Sequence, residues 1–205
     1  MTDPASNLLP ATNEDTCGPY FPIYFSGPAL EDLTRVDPGL VAQAAGVPII
    51  FDVDYRPYSW PSPEVAAEVL SRAGDASDLI VGNDEEFGFM AGGIDKGFAK
   101  AQELAQKPGR IVIYKMGEKG AVTLAGGREI HTGIYPVQAV KPNGAGDSFM
   151  AGFLAALSEG QPVADAVLRG SAAAAIVVSR VACAPAMPTP AEVTEFMARS
   201  TLRPA

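Results

Sequence analysis

Three short runs most constrain what this chain can fold into: Val47–Val53 (VPIIFDV), Leu79–Gly82 (LIVG) and Arg110–Lys115 (RIVIYK). A strand that is wet on one face alternates apolar and polar residues. A run that is apolar at nearly every position is covered on both faces, which is the habit of parallel strands under helices. Helix-like segments separate the runs: Pro63–Arg72, with proline early in it, and Asp95–Gln106. Asn83 follows the second run and can cap a helix behind it. Alternation of this kind predicts an α/β fold, a mostly parallel sheet with helices on both faces. From Ala121 the pattern changes. The stretches AVTLA, REIHT and IYPVQAV, divided by Gly126-Gly127 and Gly133, predict an antiparallel edge. Helices are expected over Ala145–Leu157, Pro162–Ser179 and Ala191–Ala198. Upstream, residues 1–22 are polar and proline-rich and read as an irregular lead-in, with Ile23–Gly27 a short strand. Residues 23–205 then form one unit, with no internal repeat and no clear boundary.

The chain has 205 residues, 47% of them apolar, enough for one domain with a real core. It holds 15 Lys and Arg against 24 Asp and Glu, a net charge of -9. A phosphate-backbone partner needs a basic surface, so nucleic acid is not expected to bind. Small anions are not excluded, because a local nest of amides binds phosphate even on an acidic protein. The longest apolar stretch, Ala172–Val178, is too short for a bilayer, and Met1–Pro10 lacks the features of a secretory leader. Cys17 and Cys183 make neither a disulfide framework nor a metal quartet. His131 has no second ligand near it and reads as structural. Together these features suggest a reduced, cytoplasmic setting.

The segment Lys141-Pro-Asn-Gly-Ala-Gly-Asp-Ser-Phe-Met-Ala-Gly-Phe-Leu154 carries the clearest chemistry. Small residues at Gly144, Ala145 and Gly146 let the backbone approach a ligand closely, and an apolar helix starts there. The first amides of a helix lack partners inside it and its dipole is positive at that end, so an anion can sit there. Asp147 falls in the first turn, where a carboxylate can accept the proton of an attacking hydroxyl while the amides hold developing charge. Read alone, the same four residues also fit a glycine-rich turn with an acid favouring the helix dipole. Asn83-Asp-Glu-Glu86 opens a helix after a strand and alone is an ordinary capping box. Lys115-Met-Gly-Glu-Lys-Gly120 ends a strand with two glycines and alone is a hairpin turn. Phe51-Asp-Val-Asp-Tyr-Arg-Pro-Tyr-Ser-Trp60 places Asp54 and Arg56 beyond the C-terminal end of a buried strand, where α/β sheets hold ligands. Arg56 can clasp a carboxylate with two parallel bonds, or it can pair with an aspartate and pin a proline-rich loop, with Trp60 in the core.

The G-A-G-D segment, with its continuation through Ala151, Gly152 and Phe153, resembles the C-terminal signature of the PfkB, or ribokinase-like, carbohydrate kinases. The resemblance implies that Gly144, Ala145 and Gly146 form an anion hole and that Asp147 is the catalytic base. It implies that Asn83 and Glu86 match an N-x-x-E motif that orders Mg²⁺ and phosphates, and that the Lys115, Gly117 and Gly120 turn lies along the nucleotide. ATP and Mg²⁺ are thus the implied cofactors, with room for a monovalent cation. Asn143 stands where relatives often have a small or hydroxyl residue. Asp52, Asp54, Tyr55 and Arg56, with Gly170–Arg180 and Cys183–Pro188, look like the branch that phosphorylates 5-dehydro-2-deoxygluconate in inositol breakdown. Asp54 and Arg56 would then hold a sugar acid. A sister branch acting on 2-dehydro-3-deoxygluconate has Asn where this chain has Asp54. No Walker A motif is present, and no G-x-G-x-x-G follows the first strand, which argues against P-loop and Rossmann-type alternatives.

The chain departs from the family in one large respect. The N-terminal strands, the small β-lid and the loops that hold the sugar are absent. A kinase of a keto-deoxy sugar acid is therefore expected to be weak in this form, and a truncated nucleotide-binding remnant without turnover is the alternative. Homo-oligomer formation is left open.

Overall fold

The computed structural model describes residues 45–140, 143–181 and 184–205. The expected lead-in, the Ile23–Gly27 strand, Lys141, Pro142 and both cysteines lie outside the described residues. The elements run β1 (Ile50–Asp52), α1 (Pro63–Ala76), β2 (Leu79–Asn83), α2 (Asp84–Met90), α3 (Gly97–Leu104), β3 (Ile111–Lys115), β4 (Ala121–Ala125) and β5 (Arg128–Thr132). Then come α4 (Ala145–Ser158), α5 (Val163–Val178) and α6 (Pro190–Arg199). The sheet order is β1-β2-β3-β4-β5. The first three strands are parallel, and β4 and β5 add an antiparallel edge, as their sequence predicts.

The continuous apolar runs are explained by two cores. Leu79, Val81, Ile111 and Ile113 point to one face and meet Phe149, Phe153 and Val167 of α4 and α5. Their neighbours Ile80, Val112 and Tyr114 point to the other face and meet Leu70, Phe87 and Leu104 of α1, α2 and α3. The strands alternate with period two, but both sides are covered, so no polar phase appears. Helices α4 and α5 approach backbone to backbone. A Cβ on Gly170 would lie 2.7 Å from the Phe149 carbonyl oxygen, and one on Gly152 would lie 3.2 Å from Gly170 Cα.

Two expectations are corrected. IYPVQAV is not a strand: only Ile134 makes a bridge, to Arg203. Proline at 136 lacks the N–H a ladder needs, and Tyr135 instead packs with Ile176 of α5 and Val193 of α6. The helix expected from Asp95 begins at Gly97, after a single 3₁₀ turn over Ile94–Lys96. The last helix is tied back by Glu192, which caps Thr189 and meets Arg180 Nη2 at 2.6 Å. The Thr189 amide first, and then Arg180, hold its carboxyl down to about 2. Among the described residues no helix is long and apolar enough to cross a membrane.

Candidate functional site

Strands β1, β2 and β3 end on the same side of the sheet, at Asp52, Asn83 and Lys115, with Asn83 in register beside Lys115. The chain beyond β1 continues through Asp54 and Arg56, and α4 opens at this same end. One open cavity of about 1070 Å³ results, lined by Asp54, Arg56, Asn83, Glu86, Lys115, Gly117 and Gly120, and also by Gly144, Ala145, Gly146 and Asp147. Every site residue expected from sequence therefore faces one space, although the residues come from stretches up to 93 positions apart in the chain, Asp54 to Asp147. Parallel strands place ligands at their carboxyl ends because the connecting loops splay apart there.

Gly144 precedes α4 with φ 84°, a left-handed conformation that favours glycine, and its carbonyl accepts the Ser148 N–H at 2.9 Å. No side chain caps the helix. The opening of this 14-residue helix thus faces the cavity, with Asp147 exposed in its first turn. Lys115 Nζ stands 5.4 Å from the Phe149 ring centroid, and a Cβ on Gly146 would come within 3.9 Å of it. A cation and a helix dipole converge here, the arrangement that holds an anion.

Asn83 and Glu86 form a reciprocal capping box: the Asn83 N–H donates to Glu86 Oε2 at 2.7 Å and the Glu86 N–H to Asn83 Oδ1 at 2.8 Å. The cap and the site share residues, since capping α2 fixes Glu86 in the cavity wall. Burial pushes the Glu86 carboxyl up, helped by the charges of Asp52 and Asp54 and opposed by the Asn83 amide and Lys115. Among the described residues no three His, Cys, Asp or Glu side chains gather into a metal cage. The acids present suit an ion that arrives on phosphates and keeps several waters, the habit of Mg²⁺.

At the other end Arg56 Nη2 meets Asp54 Oδ1 at 2.5 Å, so the expected loop-pinning pair exists. It is half exposed, where such a pair is worth about 0–1 kcal/mol, so a ligand carboxylate can compete for Arg56. Asp54 has φ 36°, and no other described non-glycine residue has positive φ. Strain of that kind persists where surroundings hold it, often at a site. Trp60 is buried as expected, and Tyr55 packs on Phe89 with centroids 4.2 Å apart rather than lining the cavity. His131 is exposed on β5, with its Nε2 3.7 Å from Glu129 Oε2. Sequence reasoning missed Phe149, Glu118, Tyr135 and Arg203 in the cavity wall. Phe149 sits within an apolar helix and gives no signal distinct from core, and Arg203 reaches the site only through the fold.

Residues 4–190 match the pfkB family carbohydrate kinase domain. The chain is 39% identical over 165 residues to a 5-dehydro-2-deoxygluconokinase of Geobacillus thermodenitrificans, a match that takes in 76% of this chain and 48% of the relative. It resembles a ribokinase of Thermotoga maritima with TM-score 0.63 and 27% identity, covering 83% of this chain and 52% of that one. It also resembles a fructokinase of Vibrio cholerae O395, solved with fructose, ADP and calcium, with TM-score 0.69 and 25% identity over 77% and 53% of the two chains. The chain thus spans about half the length of the relatives it matches. With this match over most of its length, the chain belongs to the pfkB family of carbohydrate kinases.

Proposed function

We propose that this chain supplies the nucleotide-binding and base-bearing half of an ATP-dependent kinase for a keto-deoxy sugar acid, with 5-dehydro-2-deoxygluconate as the substrate. One observation supports this most: Asp147, the open N-terminus of α4 and Lys115 border the same cavity as Arg56 and Asp54. The name of the Geobacillus relative and the ADP and fructose held by the Vibrio one agree with it. In this reading Asp147 takes the proton of the substrate's terminal hydroxyl. That oxygen attacks the γ-phosphorus, the bond to the β-phosphate oxygen breaks, and ADP leaves. The amides of Gly144, Ala145 and Gly146 and the Lys115 ammonium hold the charge that develops on the transferred group. Mg²⁺, when bound, would neutralise phosphate charge near Glu86 and Asn83. Arg56 would bind the substrate carboxylate, with Asp54 orienting it.

The test is ADP release by the purified chain, alone and fused to the N-terminal part of the Geobacillus relative, with keto-deoxy aldonic acids against ribose and fructose. In the active form Asp147→Asn should cut turnover by about 100-fold or more while ATP affinity stays near its original value. Arg56→Ala should cost the acid substrates about 10–100-fold and spare the neutral ones, as expected for one charged contact. Equal use of acid and neutral sugars would sink the substrate reading, and normal turnover in Asp147→Asn would sink the base. A second reading, a nucleotide-binding remnant without turnover, is favoured by the half-length match. It is the outcome if the chain binds ATP yet neither form releases ADP.

A further inference from the structure

Beyond α6 the chain returns across the molecule, and Arg203 pairs with Ile134 in both directions: the Ile134 N–H donates to the Arg203 carbonyl at 3.0 Å, and the Arg203 N–H to the Ile134 carbonyl at 2.8 Å. Gly133 makes the room. A Cβ there would lie 1.8 Å from the Arg203 carbonyl oxygen and 3.0 Å from Pro204 Cα. The Arg203 guanidinium donates to the Glu118 carbonyl in the turn between β3 and β4. Arg203, Glu118 and Ile134 all line the cavity that holds Lys115 and Gly144–Asp147.

Of the described arginines, Arg56 and Arg203 line this cavity, and Arg56 is paired with Asp54. Arg56, Arg169, Arg180 and Arg199 each pair with a carboxylate. Arg203 pairs with none among the described residues, although five carboxylates, Asp52, Asp54, Glu86, Glu118 and Asp147, line the same cavity. A guanidinium has five N–H donors in a fixed fork, and one carbonyl does not use them up. Its backbone is fixed by two hydrogen bonds and its head by a third, so little side-chain freedom is left to lose on binding. A guanidinium held in place with donors to spare is suited to an anion such as phosphate.

We propose that Arg203 is a ligand for the phosphate chain of the nucleotide, and that residues 201–205 are thereby part of the nucleotide site. This rests on the kinase reading above. Lys115 serves the phosphoryl group at the opening of α4, and Arg203, across the Gly117–Gly120 turn, serves the phosphates that leave with ADP.

Calorimetric titration of the 205-residue chain with ATP, ADP and adenosine tests this in the unsubstituted protein and in Arg203→Ala, Arg203→Lys and Gly133→Ala. Arg203→Ala should weaken ATP and ADP by about 10–100-fold, the range for a charged hydrogen bond, and leave adenosine unchanged. Arg203→Lys keeps the charge and should fall between. Gly133→Ala, which unseats the tail, should match Arg203→Ala. Unchanged ATP and ADP affinity in Arg203→Ala, or adenosine weakened as much as ATP, overturns the proposal and leaves the kinase reading standing. Failure of the unsubstituted chain to bind any nucleotide overturns both.

Discussion

A buried carboxyl facing other acids keeps its proton to higher pH than a free one, and this couples protonation to folding. Glu86 is such a group, pushed up from the ordinary 4.5 chiefly by burial. Its folded value lies above its unfolded one, so from pH 4.5 up to the folded value the native chain binds more protons than the unfolded chain. Stability therefore falls as pH rises through that window and is regained on acidification. Glu86→Gln cannot ionise, yet its side-chain carbonyl can still accept the Asn83 N–H. Thermal melts across pH should show the substituted protein gaining on the original above pH 4.5, with the difference levelling off once Glu86 is ionised. Parallel curves for the two proteins would contradict this account. The ligand-free state is the one to measure, because bound phosphates would change the field around Glu86.

Between elements, the joint most exposed to damage is Arg110. It is buried at the start of β3 and donates to the carbonyls of Ser77 at 2.9 Å, Leu104 at 2.9 Å and Asp75 at 2.6 Å. These lie at the C-terminal ends of α1 and α3, where the last carbonyls of a helix have no partner within it. One guanidinium thus closes two helices onto the sheet, and burial holds its pKa down while Asp75 and Asp78 partly restore it. Arg110→Ala strands up to three acceptors. Some of them would regain water, so the expected loss is about 3 kcal/mol. A shift of the urea midpoint with an unchanged slope would show it. Arg110→Lys should recover only part, because an ammonium cannot reach three carbonyls with a planar fork. A loss below about 0.5 kcal/mol in the alanine variant, the range of ordinary surface changes, would mean that water replaces the arginine.

At the scale of the molecule, the cavity at the opening of α4 is assembled while the sheet has β1 as an edge that pairs only with β2 among the described residues. The chain spans about half the length of the kinases it matches. Positioning of hydroxyl and phosphoryl supplies much of the rate in such a reaction. Fusion to the N-terminal part of the Geobacillus relative should therefore raise turnover by about 100-fold or more over the 205-residue chain. Comparable turnover by both, near the about 1–100 per second typical of kinases, would mean that the sugar site is built within this chain.

Local signals sufficed for the features whose causes are local. Continuous apolar runs marked β1, β2 and β3, because strands covered on both faces need apolar residues in both phases. Small residues ahead of an apolar stretch marked the opening of α4, since a helix start needs a turn that Gly144 can make. Asn83 and Glu86 were legible because a capping box spans only four residues. The tertiary structure alone decided what depends on distant partners. Tyr135 leaves the sheet because α5 and α6 offer it a pocket, and the run IYPVQAV has no neighbour strand to declare that. Arg110 reads as the polar start of a strand until the ends of two helices arrive beside it. Arg203 is the extreme case, 85 residues from the carbonyl it holds. Sequence encodes such a contact only through the fold as a whole, because the free energy that places the tail comes from the backbone pairing with Ile134 and the space left by Gly133, and neither has a local pattern.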